Sequence, residues 1–345
     1  MIKYVKPITR APATGPLKEI YNQIRRDFGL LAEPFTLHSS VPELLAAVWA
    51  VCRESQVTGI VPRQLKEIVA ITVSKLNRCP WCVDAHTIML AATDHGLAAA
   101  IENNDFINMG DERITTIIQW AASTRSPGAQ ILRAPPFSPQ EAPEIISTAI
   151  FYHYMNRMVT VLLNETPLGA TPILLRGLVK RISSHIFRPA IVLSKAPGES
   201  LKFLSKAEMP ADLKWAEPNE YIAYALASLA SAVEDGMSSA LSEKALDYTR
   251  QYIGSWDGDD PGMSRKWVEQ AIETFDDENR AAVRLILLTA LAPYQVNDVI
   301  IKDYLSARPD PVRLLKILAW ASFTAARRIG AWICIPLLKR TGATE

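Results

Sequence analysis

Cysteine is scarce: four in 345 residues, too few for the disulfide scaffold that staples small secreted domains. An excess of one charge is also missing. Lys and Arg number 37 against 36 Asp and Glu, a formal net of +1, which leaves no basic footprint for nucleic acid or an anionic membrane, and neither partner is expected. Long unbroken apolar runs are absent too. The most apolar late stretch, Leu314 to Ile335, is interrupted by Lys316, Arg327 and Arg328, whereas a membrane span needs about 20 apolar residues, so it reads as a core helix. The lead-in from Met1 to Pro16 has no apolar core of signal-peptide length, and the expected location is cytoplasmic. Strand patterning is the last absence: no segment alternates apolar and polar residues well enough to compete with helical spacing.

What is present is an apolar share of 49%, enough for real cores, arranged at helical intervals. The segment GPLKEIYNQIRRDFG carries Pro16 in its first turn and sets Leu17, Ile20, Ile24 and Phe28 on one face. Ser39 or Ser40 is placed to cap a second helix, PELLAAVWAVCRES, with Pro42 in its first turn. Further helices are expected from Pro62 to about Leu76, from Pro80 to about His95 with Gly96 as a left-handed stop, from Asp111 through Ser123, and from Glu141 to Leu163. The fold class is therefore all-α. Between Thr166 and Pro218 six prolines recur (Pro167, Pro172, Pro189, Pro197, Pro210, Pro218), which reads as a packed connector.

The second half repeats the first in outline. Laying EIVAITVSKLNRC over AVRLILLTALAPY matches Ser74 with Thr289, and YHYMNR at Tyr152 to Arg157 lies over FTAARR at Phe323 to Arg328. In that register Glu67, Cys79, Cys82 and His86 face Ala282, Tyr294, Asn297 and Ile301, so the second copy keeps the scaffold without the chemistry. The expected organisation is a reactive domain at 1–185, a connector at 186–215 and a degenerate repeat at 216–345.

The chemistry is concentrated in Glu67-IVAITV-Ser74-KLNR-Cys79-Pro-Trp-Cys82-VDA-His86. Asn77 and Arg78 interrupt one helix and Pro80 starts the next, so Cys79 falls at the cap and Cys82 in the first turn. Unpaired N–H groups at a helix start lower a thiol pKa from about 8.5 to roughly 3.5–7.5, so one sulfur is expected as thiolate at pH 7. Cysteines three apart on a helix are near enough to form and break a disulfide with little backbone movement. His86, one turn beyond Cys82, is placed to take or return a proton. Glu67 can reach His86 if the two helices pack antiparallel. The spacing could also supply three zinc ligands with Glu67 as a fourth, but structural zinc sites more often draw their second ligand pair from a separate element. Covalent haem attachment needs His directly after the second Cys, where Val83 stands. No metal and no cofactor is expected. Cys52 and Cys334 stand singly in apolar surroundings and read as packing, as His38 and His95 read as structural. His153, Tyr154, Asn156 and Arg157 share one apolar helix, where polar groups need partners or a cavity to line.

The run E-x6-S-x4-C-x2-C-x3-H, here Glu67, Ser74, Cys79, Cys82 and His86, resembles the motif of the alkylhydroperoxidase D-like proteins within the carboxymuconolactone decarboxylase superfamily, and STAIFYHYMNRMVTVLL resembles that family's Phe/Tyr-rich segment ending in Asn-Arg. The similarity covers most of residues 15 to 165; the second half matches only in pattern. It implies an alkylhydroperoxidase D-like helical bundle, here duplicated within one chain, and a homo-oligomeric thiol peroxidase or disulfide oxidoreductase. The catalytic set would be Cys79, Cys82, His86 and Glu67, with Trp81, Ser74, His153, Asn156 and Arg157 as pocket residues. The substrate would be a small peroxide or disulfide, and the reductant a thiol or lipoyl-type partner. Some relatives carry a second His between the cysteines; Trp81 occupies that place here and can cover the disulfide or contact an apolar substrate. Two other readings stand beside this one. One is acid–base chemistry on a small lactone, of the decarboxylase kind. The other is a non-catalytic, partner-binding oligomeric module.

Overall fold

A computed structural model describes residues 1–105, 111–164, 166–168 and 171–335. Among the described residues every regular element is helical. Helix α1 (Gly15–Phe28) buries Leu17, Ile20, Ile24 and Phe28 and stops at Gly29, whose φ of 101° is open to glycine at no steric cost. Helix α2 (Pro42–Cys52) is apolar all round and buried accordingly, and runs straight into a π-helical turn, Arg53–Val57. Its cap departs from expectation. Val41 occupies the cap position with no side-chain bond, while Ser39 Oγ accepts from the Ile8 N–H at 2.8 Å and donates to the Thr36 carbonyl at 2.6 Å. The loop before α2 competes for the hydroxyl and wins it.

Helix α3 (Arg63–Leu76) and α4 (Pro80–Ala91) follow. Helix α4 does not reach His95. Asp94 accepts from the Leu97 N–H at 2.9 Å and opens α5 (His95–Glu102), so His95 begins a helix and Gly96 lies inside one instead of ending one. Helix α6 (Glu112–Ala122) is capped by Asp111, and α7 (Ala142–Leu162) is buried along nearly its whole length. The expected connector holds a 20-residue helix, α8 (Ile173–Val192), with Pro189 inside it. A proline in the last turn deprives only the carbonyl four residues back of its partner, so the helix survives it. The second half contributes α9 (Glu220–Glu234), α10 (Glu243–Ser255), α11 (Asp277–Leu291), α12 (Asp298–Ala307) and α13 (Pro311–Ile333), while residues 336–345 of the expected second repeat lie outside the described residues.

Helix α3 packs on α4, α6 and α7; α11 packs on α12, α10 and α13. The two sets meet where α7 lies against α13 and α2 against α9, and a single buried apolar cluster runs through both. Their chain order differs, because α6 follows α3 whereas α10 precedes α11. The seam is tight. Tyr154 and Phe323 meet edge-to-face at 6.1 Å, and Trp332 Nε1 donates to the Thr124 carbonyl at 2.7 Å. Arg125 donates through Nη2 to the Gly258 carbonyl at 2.9 Å. Gly258, at φ 94°, sits so close that a Cβ would lie 1.9 Å from the Arg125 carbonyl oxygen.

Candidate active site

The bend between α3 and α4 places the two cysteines. Arg78 takes a left-handed φ of 55°, and the Cys79 N–H turns back to the Ser74 carbonyl at 2.9 Å. Cys79 is then the cap of α4, its own carbonyl accepting from the Val83 N–H at 3.1 Å, with Cys82 in the first turn. The two sulfurs are 2.9 Å apart as free thiols and almost fully buried, at 1% and 2% exposure. The thiolate expected on one of the two sulfurs is not favoured on Cys82: loss of solvent, and then the neighbouring Cys79, push the Cys82 thiol well above its ordinary value.

His86 Nδ1 meets Glu67 Oε2 at 2.6 Å, so α3 and α4 do bring these two side chains together across the bend. The other carboxylate oxygen accepts from Arg63 Nε at 2.5 Å and from Gln56 Nε2 at 3.0 Å. Burial opposes charge on Glu67, but Arg63 and His86 outweigh it and hold the carboxyl below its ordinary range. An ionised carboxylate only accepts, so His86 carries a proton on Nδ1, and in the neutral ring the lone pair is on Nε2. Tyr152 closes the network: its hydroxyl donates to Gln56 Oε1 at 2.5 Å, and its ring stands edge-on to His86 at 4.6 Å.

Cys82, His86 and Trp81 line a cavity of about 400 Å³ with Phe151, Tyr152 and Met155 of α7, covered by Val179 and Phe187 of α8. Its walls are mainly apolar, with the His86 imidazole among the few polar groups. Such a pocket suits a substrate with an alkyl or aryl body and one reactive polar end.

Residues 42–126, which contain both cysteines, His86 and Glu67, match the carboxymuconolactone decarboxylase family. Over 333 residues, 96% of this chain and 95% of the other, the protein is 38% identical to alkyl hydroperoxide reductase Rv2159c of Mycobacterium tuberculosis. The chain belongs to the carboxymuconolactone decarboxylase family. The likeness to the mycobacterial protein runs well beyond the matched family segment and into the second half.

The remaining candidates in this family member are placed away from the apolar cavity. Ser74 Oγ donates to Asn156 Oδ1 at 3.1 Å, a buried link between α3 and α7. His153 accepts at Nδ1 from Asn77 Nδ2 at 3.0 Å and donates from Nε2 to Thr124 Oγ1 at 2.9 Å; burial, with Arg157 and Arg125, holds it neutral, well below its ordinary pKa. Arg157 donates from Nε to the Ala290 carbonyl at 2.7 Å and lies over the Trp256 ring, so it reaches the second half, and burial followed by Arg125 lowers its pKa to about 9. His38 pairs with the Tyr154 hydroxyl at 2.7 Å. Among the described residues no group of three or more His, Cys, Asp or Glu side chains is placed to hold a metal ion, and no helix is long and apolar enough to cross a membrane.

Arg63, Gln56 and Tyr152 are the site residues that motif spacing does not reveal. Arg63 carries a signal in its position four residues before Glu67, the interval at which opposite charges pair on a helix. Gln56 carries none, since its place follows from the π-turn, and Tyr152 lies in the Phe/Tyr-rich segment but is brought to the site only by the packing of α7.

Proposed function

We propose that this chain is a thiol-dependent hydroperoxide reductase whose working pair is Cys79 and Cys82. The observation that carries the reading is a buried CxxC pair whose Cys82 shares one apolar cavity with a Glu67-bound imidazole. The name of the mycobacterial relative supports it. A hydroperoxide ROOH enters with its R group against the apolar wall. His86 Nε2 takes the Cys82 proton, the thiolate attacks the terminal peroxide oxygen, the O–O bond breaks, and the imidazolium protonates the departing alkoxide to ROH. Glu67 holds the imidazolium in place and steadies its charge. The Cys79 thiol then attacks the Cys82 sulfenic acid, water leaves, and a Cys79–Cys82 disulfide remains. An external dithiol resets the pair.

Treating the reduced protein with cumene hydroperoxide and mapping peptides tests this. Loss of two thiols per peroxide, with Cys79 joined to Cys82 and with Cys52 and Cys334 still thiols, is expected. A dominant disulfide through Cys52 or Cys334, or none at all, sinks the reading. The family's decarboxylase name keeps acid–base chemistry on a small lactone as a second reading that uses His86 and Glu67 without the sulfurs. Replacing both Cys79 and Cys82 with Ser abolishes the first activity and spares the second.

A further inference from the structure

The two sulfurs open onto different spaces. Cys82 belongs to the apolar cavity under α8, whereas Cys79 lines a separate groove of about 600 Å³ on the other side of the pair. That groove is polar: Lys3, Arg78, Thr160, Asn164 and Tyr294 line it with Cys79, and Trp81 stands between the two spaces as a wall of both. Its far wall comes from the second half through Pro293, Tyr294 and Val296. Tyr294 is fixed there, donating to the Gly262 carbonyl at 2.7 Å under the Arg78 guanidinium. Arg78 pairs with Asp260 at 3.1 Å, so with Lys3 the groove keeps an excess of positive charge. Thr160 Oγ1, buried in its wall, has no hydrogen-bond partner.

We propose that the pair is served from two sides: hydroperoxide reaches Cys82 through the apolar cavity, and a small anionic dithiol reaches Cys79 through the polar groove that the second half completes. This rests on the peroxidase reading and names the partner class for its second half-reaction. The direction follows from disulfide exchange, in which the attacking thiolate must approach opposite the leaving sulfur. Attack on Cys79 Sγ from the groove breaks the S–S bond and expels Cys82 on the side where His86 can protonate it. Attack on Cys82 from the cavity would expel Cys79, which does not line the cavity that His86 faces. The first step leaves the reductant joined to Cys79 as a mixed disulfide. The reductant's second thiol then attacks its own bonded sulfur, releases Cys79 and departs as a cyclic disulfide. One dithiol is oxidised for each Cys79–Cys82 disulfide reduced, and its two protons end on the two cysteines. The positive rim favours a dithiol bearing carboxylate.

The test separates the half-reactions. The protein is oxidised with diamide, without peroxide, and mixed with dihydrolipoate, a carboxylate-bearing 1,3-dithiol that closes to a five-membered cyclic disulfide, or with neutral dithiothreitol, while thiol return is followed by rapid quench. In parallel, reduced protein is mixed with cumene hydroperoxide. Val296→Trp, which fills the groove, should lower the ratio of reduction rate to oxidation rate by about tenfold or more, and Lys3→Glu should slow dihydrolipoate about three- to tenfold more than dithiothreitol. Met155→Trp, which fills the apolar cavity, should shift the first ratio the opposite way. An unchanged ratio in Val296→Trp, or reduction slowed by Met155→Trp, overturns the proposal; should Val296→Trp fail to fold, the dithiol preference of Lys3→Glu decides alone. If diamide forms the Cys79–Cys82 disulfide but peroxide does not, the peroxidase reading fails while the groove is still tested. If neither forms it, both fall.

Discussion

A thiol at 2% exposure beside an apolar cavity gives up its proton reluctantly, so the peroxide attack proposed for Cys82 requires a base within the cavity. His86→Ala should therefore slow oxidation by cumene hydroperoxide about 10²–10⁴-fold at pH 7, the usual worth of one positioned proton-transfer group. Glu67→Gln, which keeps shape but removes the charge behind the imidazolium, should cost less. Stopped-flow rates that reverse this order would hand the proton to the carboxylate, and unchanged rates in both would remove the relay. Two other histidines act on stability instead. His38, lowered to about 3 by burial, and His153, held well below its ordinary value, stay neutral in the folded protein. Both folded values are depressed, so their contribution is complete above the unfolded value of about 6.5 and is lost as pH falls below it, at about 1.4 kcal/mol per pH unit for each. Urea midpoints at pH 7 and pH 5 should show the drop, and His38→Gln should remove one histidine's share of it.

At the scale of elements, the starts of α1, α3, α4 and α6 were legible because Pro or Asp sits at each and apolar spacing continues behind it. Helix α8 was hidden by the prolines around it, since only packing shows that Pro189 falls late enough to be tolerated. The π-turn at Arg53–Val57 was hidden for another reason: nothing in Arg-Glu-Ser-Gln-Val departs from ordinary helical composition, and the extra residue per turn is set by the surroundings. The Glu67 and His86 pairing was legible from spacing, whereas Gln56, carried by that turn, was not. The loop leading into α3 is equally specified. Glu144 accepts the N–H groups of Ile60 at 2.8 Å and Val61 at 3.0 Å and pairs with Lys66, while Gly59, at φ 101°, leaves no room for a Cβ, which would lie 2.3 Å from that carboxyl group. Gly59→Ala should destabilise the protein by about 1–3 kcal/mol, because left-handed strain adds to the clash. Gly128, with open space around it and no left-handed φ, is the control, and Gly128→Ala should stay within about 0.5 kcal/mol in the same urea titration.

For the whole molecule, the continuous core and the paired α7 and α13 mean that neither half has a separate interior to retain when the other opens. Differential scanning calorimetry should accordingly give one transition with calorimetric and van't Hoff enthalpies in agreement, and two resolved peaks would show that the halves melt as separate units. The contact of Gly258 with Arg125 carries this further. Where two backbones touch with no side chain between them, neither can yield without moving the other, so that point offers no compliance to absorb thermal motion. Heat that loosens the loop after α10 is passed directly to the end of α6, and from there to the base of α3. The temperature ceiling of the proposed thiol chemistry is therefore set in part by residues that hold no thiol, and a substitution at Gly258 should lower the temperature at which peroxide turnover is lost while leaving its rate in the cold nearly alone.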